Sequence, residues 1–467
     1  MTTEHYQNLV IGSGEAGKYL AWTLAKQGQR TVVVERALVG GSCPNVACLP
    51  SKNIIYSAKV ASLLGRAAEF GGATGRVKIE MTGVFRRKQE MVDGLIQMHQ
   101  NRYVESGAEL LMGEARFTEP KTVRVTLNSG GERTLSGERV FLNVGTRASI
   151  PSTPGLPEAA PMTHVEALNL QRLPEHVAIL GGGFVGLEFA QAMRRFGSRV
   201  TLIQRASQLL DHEEAEVSEA ILQLMKDEGV EVLLNTIVLM VTGHSGEGLQ
   251  LQMRSGATTR ILTASDILVA AGRTPNTDRL DADKAGVELD SRGYIHVDEK
   301  LQTTAPDVWA MGECAGSPKF THAAFDDYRV VRDNLAGRSR TTRNRLVPFC
   351  LFTDPELARV GLNEPEAKAI NVRYRVAKLP MSMVLRTRTI SQPRGFMKVL
   401  VADDDRILGF TAFGAEAGEL MGVVQTAMLG AVPFTVLRDA IYTHPTMSEG
   451  LAALFANVPA RSKRKPR

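Results

Sequence analysis

The stretch QNLVIGSGEAGKYLAWTLAKQG, residues 7–28, decides the fold. Residues 7–11 are apolar enough for a buried strand. Gly12-Ser13-Gly14-Glu15-Ala16-Gly17 then forms a turn, and the residues from Lys18 onward carry a helical pattern. Glycine at 12, 14 and 17 permits a tight turn, close approach of the backbone to a pyrophosphate, and close packing of helix on strand. The helix start adds free N–H groups and the positive end of its dipole. A second strand, TVVVE, ends at Glu35, where a carboxylate can accept hydrogen bonds from ribose hydroxyls. Strand, glycine turn, helix and acid together predict a dinucleotide-binding βαβ unit.

The pattern returns at HVAIL (176–180), followed by Gly181-Gly182-Gly183-Phe184-Val185-Gly186, the helix LEFAQAMRRFG and the strand RVTLI (199–203). The two copies are too far apart to share one small domain, so the chain holds two such domains. The second copy ends differently, in Gln204 and Arg205. Without an acid there, nothing repels a 2′-phosphate, and arginine can bind one with charge-assisted hydrogen bonds. This predicts NADP(H) as the preferred coenzyme, with NAD(H) as the other candidate.

Between the copies, residues 52–105 read as helical and 108–147 as β-rich, ending in RVFLNVGTRAS. DILVAAGRTPNT closes the second unit near residue 277. Residues 293–316 read as short strands and a loop, and the chain from about 345 as a separate α+β domain.

Composition narrows the class. The 467 residues are 43% hydrophobic and 22% charged, which excludes bulk disorder. No apolar run reaches the roughly 18 residues of a membrane span. The N-terminus lacks the basic and apolar regions of a secretion signal, which predicts a cytoplasmic protein away from membranes. The net charge of +5 equals the five cations of the last seven residues, Arg461, Lys463, Arg464, Lys465 and Arg467. The body is therefore neutral, no nucleic-acid partner is expected, and residues 459–467 are expected to be a disordered basic tail.

Four cysteines do not make a disulfide framework. Two of them, Cys43 and Cys48, lie in GGSCPNVACLPSK (40–52) at the start of a helical pattern. Five residues of regular helix rise about 7.5 Å, beyond the usual disulfide span. Bridging them requires an irregular turn, which Pro44 and the flanking glycines could supply. A zinc site would need further ligands, and none stand nearby. Far downstream, THPTMSE places His444 beside a carboxylate partner, a pairing suited to proton transfer near neutral pH.

Taken together, these residues resemble the flavoprotein disulfide reductases, the class I pyridine nucleotide-disulfide oxidoreductases that include glutathione reductase, dihydrolipoamide dehydrogenase and mercuric reductase. GSGEAG is similar to their FAD fingerprint, GGSCPNVACLPSK to the redox-active disulfide motif, and GGGFVGLEFA to the nicotinamide fingerprint. AAGRTPN, WAMGECAG and HPTMSE are similar to the later motifs. VPFCLFTDPELARVGL, FDDYRVVRDNL and TMSEGL resemble the bacterial mercuric-reductase-like branch most.

The resemblance implies an α/β fold with two Rossmann-like domains and a C-terminal α+β dimerisation domain. The FAD-binding domain would take residues 1–147 and 278–343, the NAD(P)-binding domain 148–277, and the dimerisation domain 344–458. FAD contacts would come from Gly12, Gly14, Gly17, Glu35, Gly41, Ser42, Lys52, Gly145, Gly312 and Glu313. Coenzyme contacts would come from Gly181, Gly183, Gly186, Arg205 and Gly272, with Phe184 as an aromatic gate. Cys48 would be the thiolate against the flavin and Cys43 the thiol that meets substrate. Lys52 and Glu188 would pair beside the flavin. His444, oriented by Glu449, would act from the other subunit of a homodimer.

The activity implied is transfer of electrons from NAD(P)H through FAD and a Cys43–Cys48 disulfide to a small disulfide or a soft metal ion, the latter binding transiently at Cys43 and Cys48. Dihydrolipoamide dehydrogenase is the alternative, and a non-enzymatic flavin redox sensor a third. Several positions depart from the family pattern. Ala47 replaces a glycine, Pro44 an aliphatic residue and Glu313 an aspartate. Asp211 stands where NADPH members often have a second arginine, and no cysteine follows Cys350.

Overall fold

Strands Thr3–Ile11 and Thr31–Glu35 lie parallel, joined across their faces by the helix Glu15–Lys26. Leu9, Val10 and Val32–Val34 are buried, as a sheet covered on both sides requires. Ala16, Leu20, Ala21 and Leu24 press the helix onto the sheet at helical spacing. The strand Glu109–Glu119, parallel over residues 109–112, and the parallel strands Glu132–Leu142 and Val308–Ala310 complete the layer, with Thr122–Leu127 antiparallel between the first two. These features belong to a computed structural model that describes residues 2–73 and 78–461.

A second parallel sheet runs in the order Asp266–Val269, His176–Leu180, Arg199–Ile203, Glu231–Leu233. An antiparallel sheet of Thr236–His244, Gly248–Ser255 and Thr258–Ala264 is inserted between Glu231–Leu233 and Asp266–Val269. The two units meet where Thr146–Ala148 pairs with Arg273–Pro275. The C-terminal part is a five-stranded antiparallel sheet, in the order 349–351, 356–361, 407–414, 396–402 and 374–380. Helices Ala417–Leu429, Phe434–Asp439 and Glu449–Ala456 accompany it. The architecture is the mixed α/β fold expected.

Ion pairs bind the second unit to the C-terminal sheet. Lys398, 5% exposed, contacts Glu214 at 2.9 Å, Glu216 at 2.7 Å and Glu364 at 2.5 Å. Arg359 reaches Glu213 at 3.2 Å, and Lys378 reaches Glu216 at 2.5 Å. Three cations of one sheet thus lean on the acidic run 213–216.

At the start of the basic tail, Arg461 is exposed and pairs with Asp405. The tail beyond it, residues 462–467, lies outside the described residues.

Candidate active site

Cys43 and Cys48 occupy two helices rather than one. Ser42–Val46 is a single turn, and a new helix, Cys48–Gly65, starts after a break at Ala47, where φ is −136° and ψ −104°. The irregularity therefore lies at Ala47, not at Pro44. Its φ is negative, outside the left-handed region that favours glycine. Asn45 fastens the short turn, its Nδ2 donating to the carbonyls of Gly41 at 2.7 Å and Val39 at 3.0 Å. Gly41 has φ +79°, and a Cβ there would stand 2.5 Å from the Cα of Gly14. Glycine at 41 is thus what lets the cysteine loop close onto the first fingerprint.

Both cysteines are thiols. The Cys43 thiol, hydrogen-bonded to Cys48, lowers the Cys48 pKa below the ordinary thiol range, against the opposing cost of burial. The Thr321 hydroxyl, 3.2 Å from Cys48 Sγ, and the Lys52 ammonium act in the same direction. The same hydrogen bond, with burial, pushes Cys43 up. Cys48 is thus the sulfur built to carry charge.

Lys52, one turn along the same helix, donates to Glu188 Oε2 at 2.8 Å, and Glu188 Oε1 accepts from the Phe352 backbone N–H at 3.0 Å. Lys52 also lies 4.8 Å from the Phe352 ring centroid. Phe184, on the helix that carries Glu188, packs edge-on against Phe349 at 5.5 Å and Phe320 at 6.3 Å.

The residues of the first fingerprint fit a dinucleotide. A Cβ on Gly12 would collide with the carbonyl of Asn143, and one on Gly17 with the carbonyl of Gly12, so only bare backbone can line this turn. Helix Glu15–Lys26 has no side-chain N-cap, which leaves helix-end donors for phosphate. Glu35 holds the turn from behind: it accepts from Ser13 N at 2.9 Å, Ser13 Oγ at 2.7 Å, Ala37 N at 2.8 Å and Leu38 N at 3.0 Å. Ser42 begins the cysteine turn beside this fingerprint. Gly145 (φ +64°) and Gly312 (φ +74°) turn the chain at the ends of neighbouring strands. Glu313 does not stand free: it pairs with Arg273 at 2.9 Å and with the Thr146 hydroxyl.

The second fingerprint has the same frame with different contents. Gly183 N-caps helix Phe184–Phe196 without a side-chain cap, and Gly186 abuts the carbonyl of Gly181. Gln204 turns inward, its Oε1 accepting from Gly182 N at 3.1 Å. Arg205 is exposed and makes no ion pair among the described residues, and Asp211 is exposed too. Gly272 (φ +130°) follows the strand that closes this unit.

The structure thus gathers Cys43, Cys48, Lys52 and Glu188 and joins both fingerprints to them. His444 and Glu449 form a separate pair, with Nδ1 to Oε2 at 2.8 Å and His444 64% exposed. Among the described residues, no hydrogen bond within one chain joins His444 to either cysteine. Sequence reasoning missed Thr321 and Asn143. Neither falls in a position that a motif specifies.

Residues 6–327 match the pyridine nucleotide-disulphide oxidoreductase family, and residues 347–454 match the dimerisation domain of the same family. The chain is 34% identical over 460 residues to the probable pyridine nucleotide-disulfide oxidoreductase RclA of Escherichia coli, covering 97% of this chain and 99% of that protein. The structure of the Cu(II) complex of that HOCl-induced flavoprotein disulfide reductase superposes with a TM-score of 0.88, over 98% of this chain and 99% of the other, at 34% identity. Mercuric reductase of Acidithiobacillus ferrooxidans is 34% identical over 448 residues, 95% of this chain and 80% of that protein. A dihydrolipoamide dehydrogenase of Chaetomium thermophilum is 30% identical over 453 residues, 94% and 88%. With both fingerprints, the cysteine pair and the C-terminal sheet accounted for, the chain belongs to the pyridine nucleotide-disulphide oxidoreductases and is an oxidoreductase of their flavoprotein disulfide reductase class.

Proposed function

We propose that this enzyme uses NADPH to reduce a soft metal ion, Cu(II) or Hg(II), at the Cys43–Cys48 dithiol. The observation that carries this reading is the placement of two free cysteines, Cys43 and Cys48, on either side of the Ala47 break, two soft sulfur donors supplied by one short segment. The Cu(II) complex of RclA and the likeness to mercuric reductases support it. Oxidation of the two thiols to a disulfide releases two protons and two electrons. These reduce two Cu(II) to Cu(I), or one Hg(II) to Hg(0).

FAD would be held by Gly12, Gly14, Gly17, Gly41, Ser42, Gly145, Gly312 and Glu313, with Glu35 and Lys52 at its two ends. When bound it relays two electrons from the nicotinamide to the cysteine pair. Cys48 faces that relay and Cys43 faces substrate. Lys52, fixed by Glu188, supplies positive charge beside the reduced site. Phe184 gates the nicotinamide pocket formed with Gly181, Gly183, Gly186 and Gly272, and Arg205 takes the 2′-phosphate. The enzyme works as a cytoplasmic homodimer, to which His444 and Glu449 contribute across the interface. The exposure of His444 and of Leu49, Tyr56, Val60 and Ile441 supports a second copy as the cover.

The His444–Glu449 pair favours a second reading, reduction of a small disulfide such as lipoamide, because a leaving thiol needs a proton and a metal ion does not. The two are separated by assaying NADPH oxidation with Cu(II), Hg(II), lipoamide and glutathione disulfide in turn. If metal ions are the substrate, Cys43→Ser abolishes metal-dependent turnover and His444→Ala leaves it nearly intact. If a disulfide is the substrate, His444→Ala lowers its turnover by roughly 10²–10⁴. Metal-dependent turnover that persists in Cys43→Ser rejects the first reading.

A further inference from the structure

We propose that Asn143 is a positioning residue for the flavin, joining the turn that meets its phosphates to the loop at Gly312–Glu313 with one side chain. The inference rests on the reading that FAD occupies the first unit.

Asn143 follows the strand Glu132–Leu142 and is 7% exposed. Its Oδ1 accepts from Gly17 N at 3.0 Å, and its Nδ2 donates to the carbonyl of Met311 at 2.8 Å. Gly17 N can only donate and the Met311 carbonyl can only accept, so the amide has one possible orientation. Its own N–H donates to Ile11 O at 2.8 Å. The glycines crowd around it: a Cβ on Gly14 would stand 2.6 Å from Oδ1, and one on Gly312 2.9 Å from Nδ2.

The second unit supplies a built-in control. There the strand Asp266–Val269 is followed by Ala270, whose N–H donates to Leu180 O at 2.8 Å as that of Asn143 does to Ile11 O. Gly181 abuts the carbonyl of Ala270 as Gly12 abuts that of Asn143. The backbone frame is thus the same, and a methyl group serves it, so the fold of the unit does not require an amide. What the amide adds is a tether from the third glycine of the fingerprint to Met311, the residue before Gly312 and Glu313. Gly312 is held on its other side by Asp327, whose Oδ2 accepts from Gly312 N at 2.7 Å. The first fingerprint and the 312–313 loop are thereby fixed relative to each other before any ligand arrives.

The test compares holoenzymes of wild type, Asn143→Ala and Asn143→Ser. The flavin-to-protein absorbance ratio, the FAD release rate, the rise in Tm caused by FAD and the KM for NADPH are measured for each. A wild type that carries no flavin overturns the FAD reading itself and is distinguishable from all other outcomes. With flavin present, Asn143→Ala is expected to release FAD about 10-fold to 100-fold faster, the scale of two lost buried hydrogen bonds. The rise in Tm caused by FAD should shrink while the KM for NADPH stays within about twofold, the change expected when no coenzyme contact is lost. Asn143→Ser, too short to reach Met311, should behave like the alanine variant. Unchanged FAD release overturns the inference. So does a lower apoprotein Tm with an unchanged rise on FAD binding, which would mark Asn143 as a prop of the fold alone. Failure of both variants to fold overturns it as well, because the amide would then be required by the fold itself.

Discussion

The two dinucleotide units share a frame and differ in how tightly it is laced. In the first, Glu35 takes two donors from Ser13 in the glycine turn and two from its own loop, and Asn143 bridges Gly17 to Met311. In the second, Gln204 takes one donor from the turn, Gly182 N, and Ala270 replaces the bridge. A cofactor that stays bound benefits from a site ordered in advance, because ordering cost is then not charged at binding. A coenzyme that must leave every cycle gains nothing from such rigidity. On the proposed reading, the difference separates a unit built for a resident FAD from one built for an exchanging coenzyme.

Adding bulk at the third glycine should separate the units most sharply. Gly17→Val drives a side chain into the Gly12 carbonyl, and the purified protein should contain no flavin by its visible spectrum. Gly186→Val makes the same collision with Gly181 but should leave the protein yellow, with the KM for NADPH raised about 100-fold or more, as when a whole binding contact is lost. Loss of flavin from both variants would break the comparison.

Arg205→Ala comes next. It should lower kcat/KM for NADPH by about 1.5–3 kcal/mol, the value of a charge-assisted contact, and leave NADH nearly unchanged. Equal loss with both coenzymes would make Arg205 structural and leave Gln204 without a role in selection.

Glu35→Gln gives the first unit the residue that ends the second. One acceptor oxygen survives, so the expected cost is about 1 kcal/mol in stability, seen as a lower urea midpoint at constant slope. No change would mean that the four donors around Glu35 find other partners.

The smallest effect is a pH shift. Cys48 is held below the roughly 8.5 of a free cysteine, chiefly by the Cys43 thiol and further by Thr321 and Lys52. Its thiolate persists above its lowered pKa and is lost as pH falls through it. In the two-electron-reduced enzyme the long-wavelength absorbance of that thiolate against the flavin should fade with a midpoint below about 8.5. Thr321→Val should move the midpoint upward by about one unit or less, the scale of one hydrogen bond. A downward move would mean that the hydroxyl accepts from the thiol instead of stabilising its anion.

The glycine fingerprints and the cysteine motif were legible in the sequence because each chemistry tolerates few residues at fixed spacing. Asn143 and Thr321 were not, because they reach Gly17 and Cys48 from 126 and 273 positions away through the topology of the sheet. The antiparallel insertion at 236–264 escaped notice for another reason. Its central strand, Gly248–Ser255, alternates between buried and exposed residues and its two outer strands are largely exposed, so none forms the solid apolar run that marks a parallel core. The break between the cysteines was expected at Pro44, where a breaker stands in the sequence, yet it falls at Ala47, where backbone angles and not residue type carry it.

The acidic run at 213–216 sets a limit on modular engineering. Coenzyme choice invites transplanting the nicotinamide unit from a relative as a block. Such a graft would carry away Glu214 and Glu216 and leave Lys398 with Glu364 as its one remaining partner in a buried place. Breaking a buried ion pair on one side costs about 3–5 kcal/mol, a large part of the roughly 5–15 kcal/mol that holds a domain folded. A donor unit without acids at these positions should therefore yield an unstable chimera even if its coenzyme pocket is intact. The seam for a successful graft runs on the far side of Lys398, so that the donor's own C-terminal β-sheet travels with its nicotinamide unit.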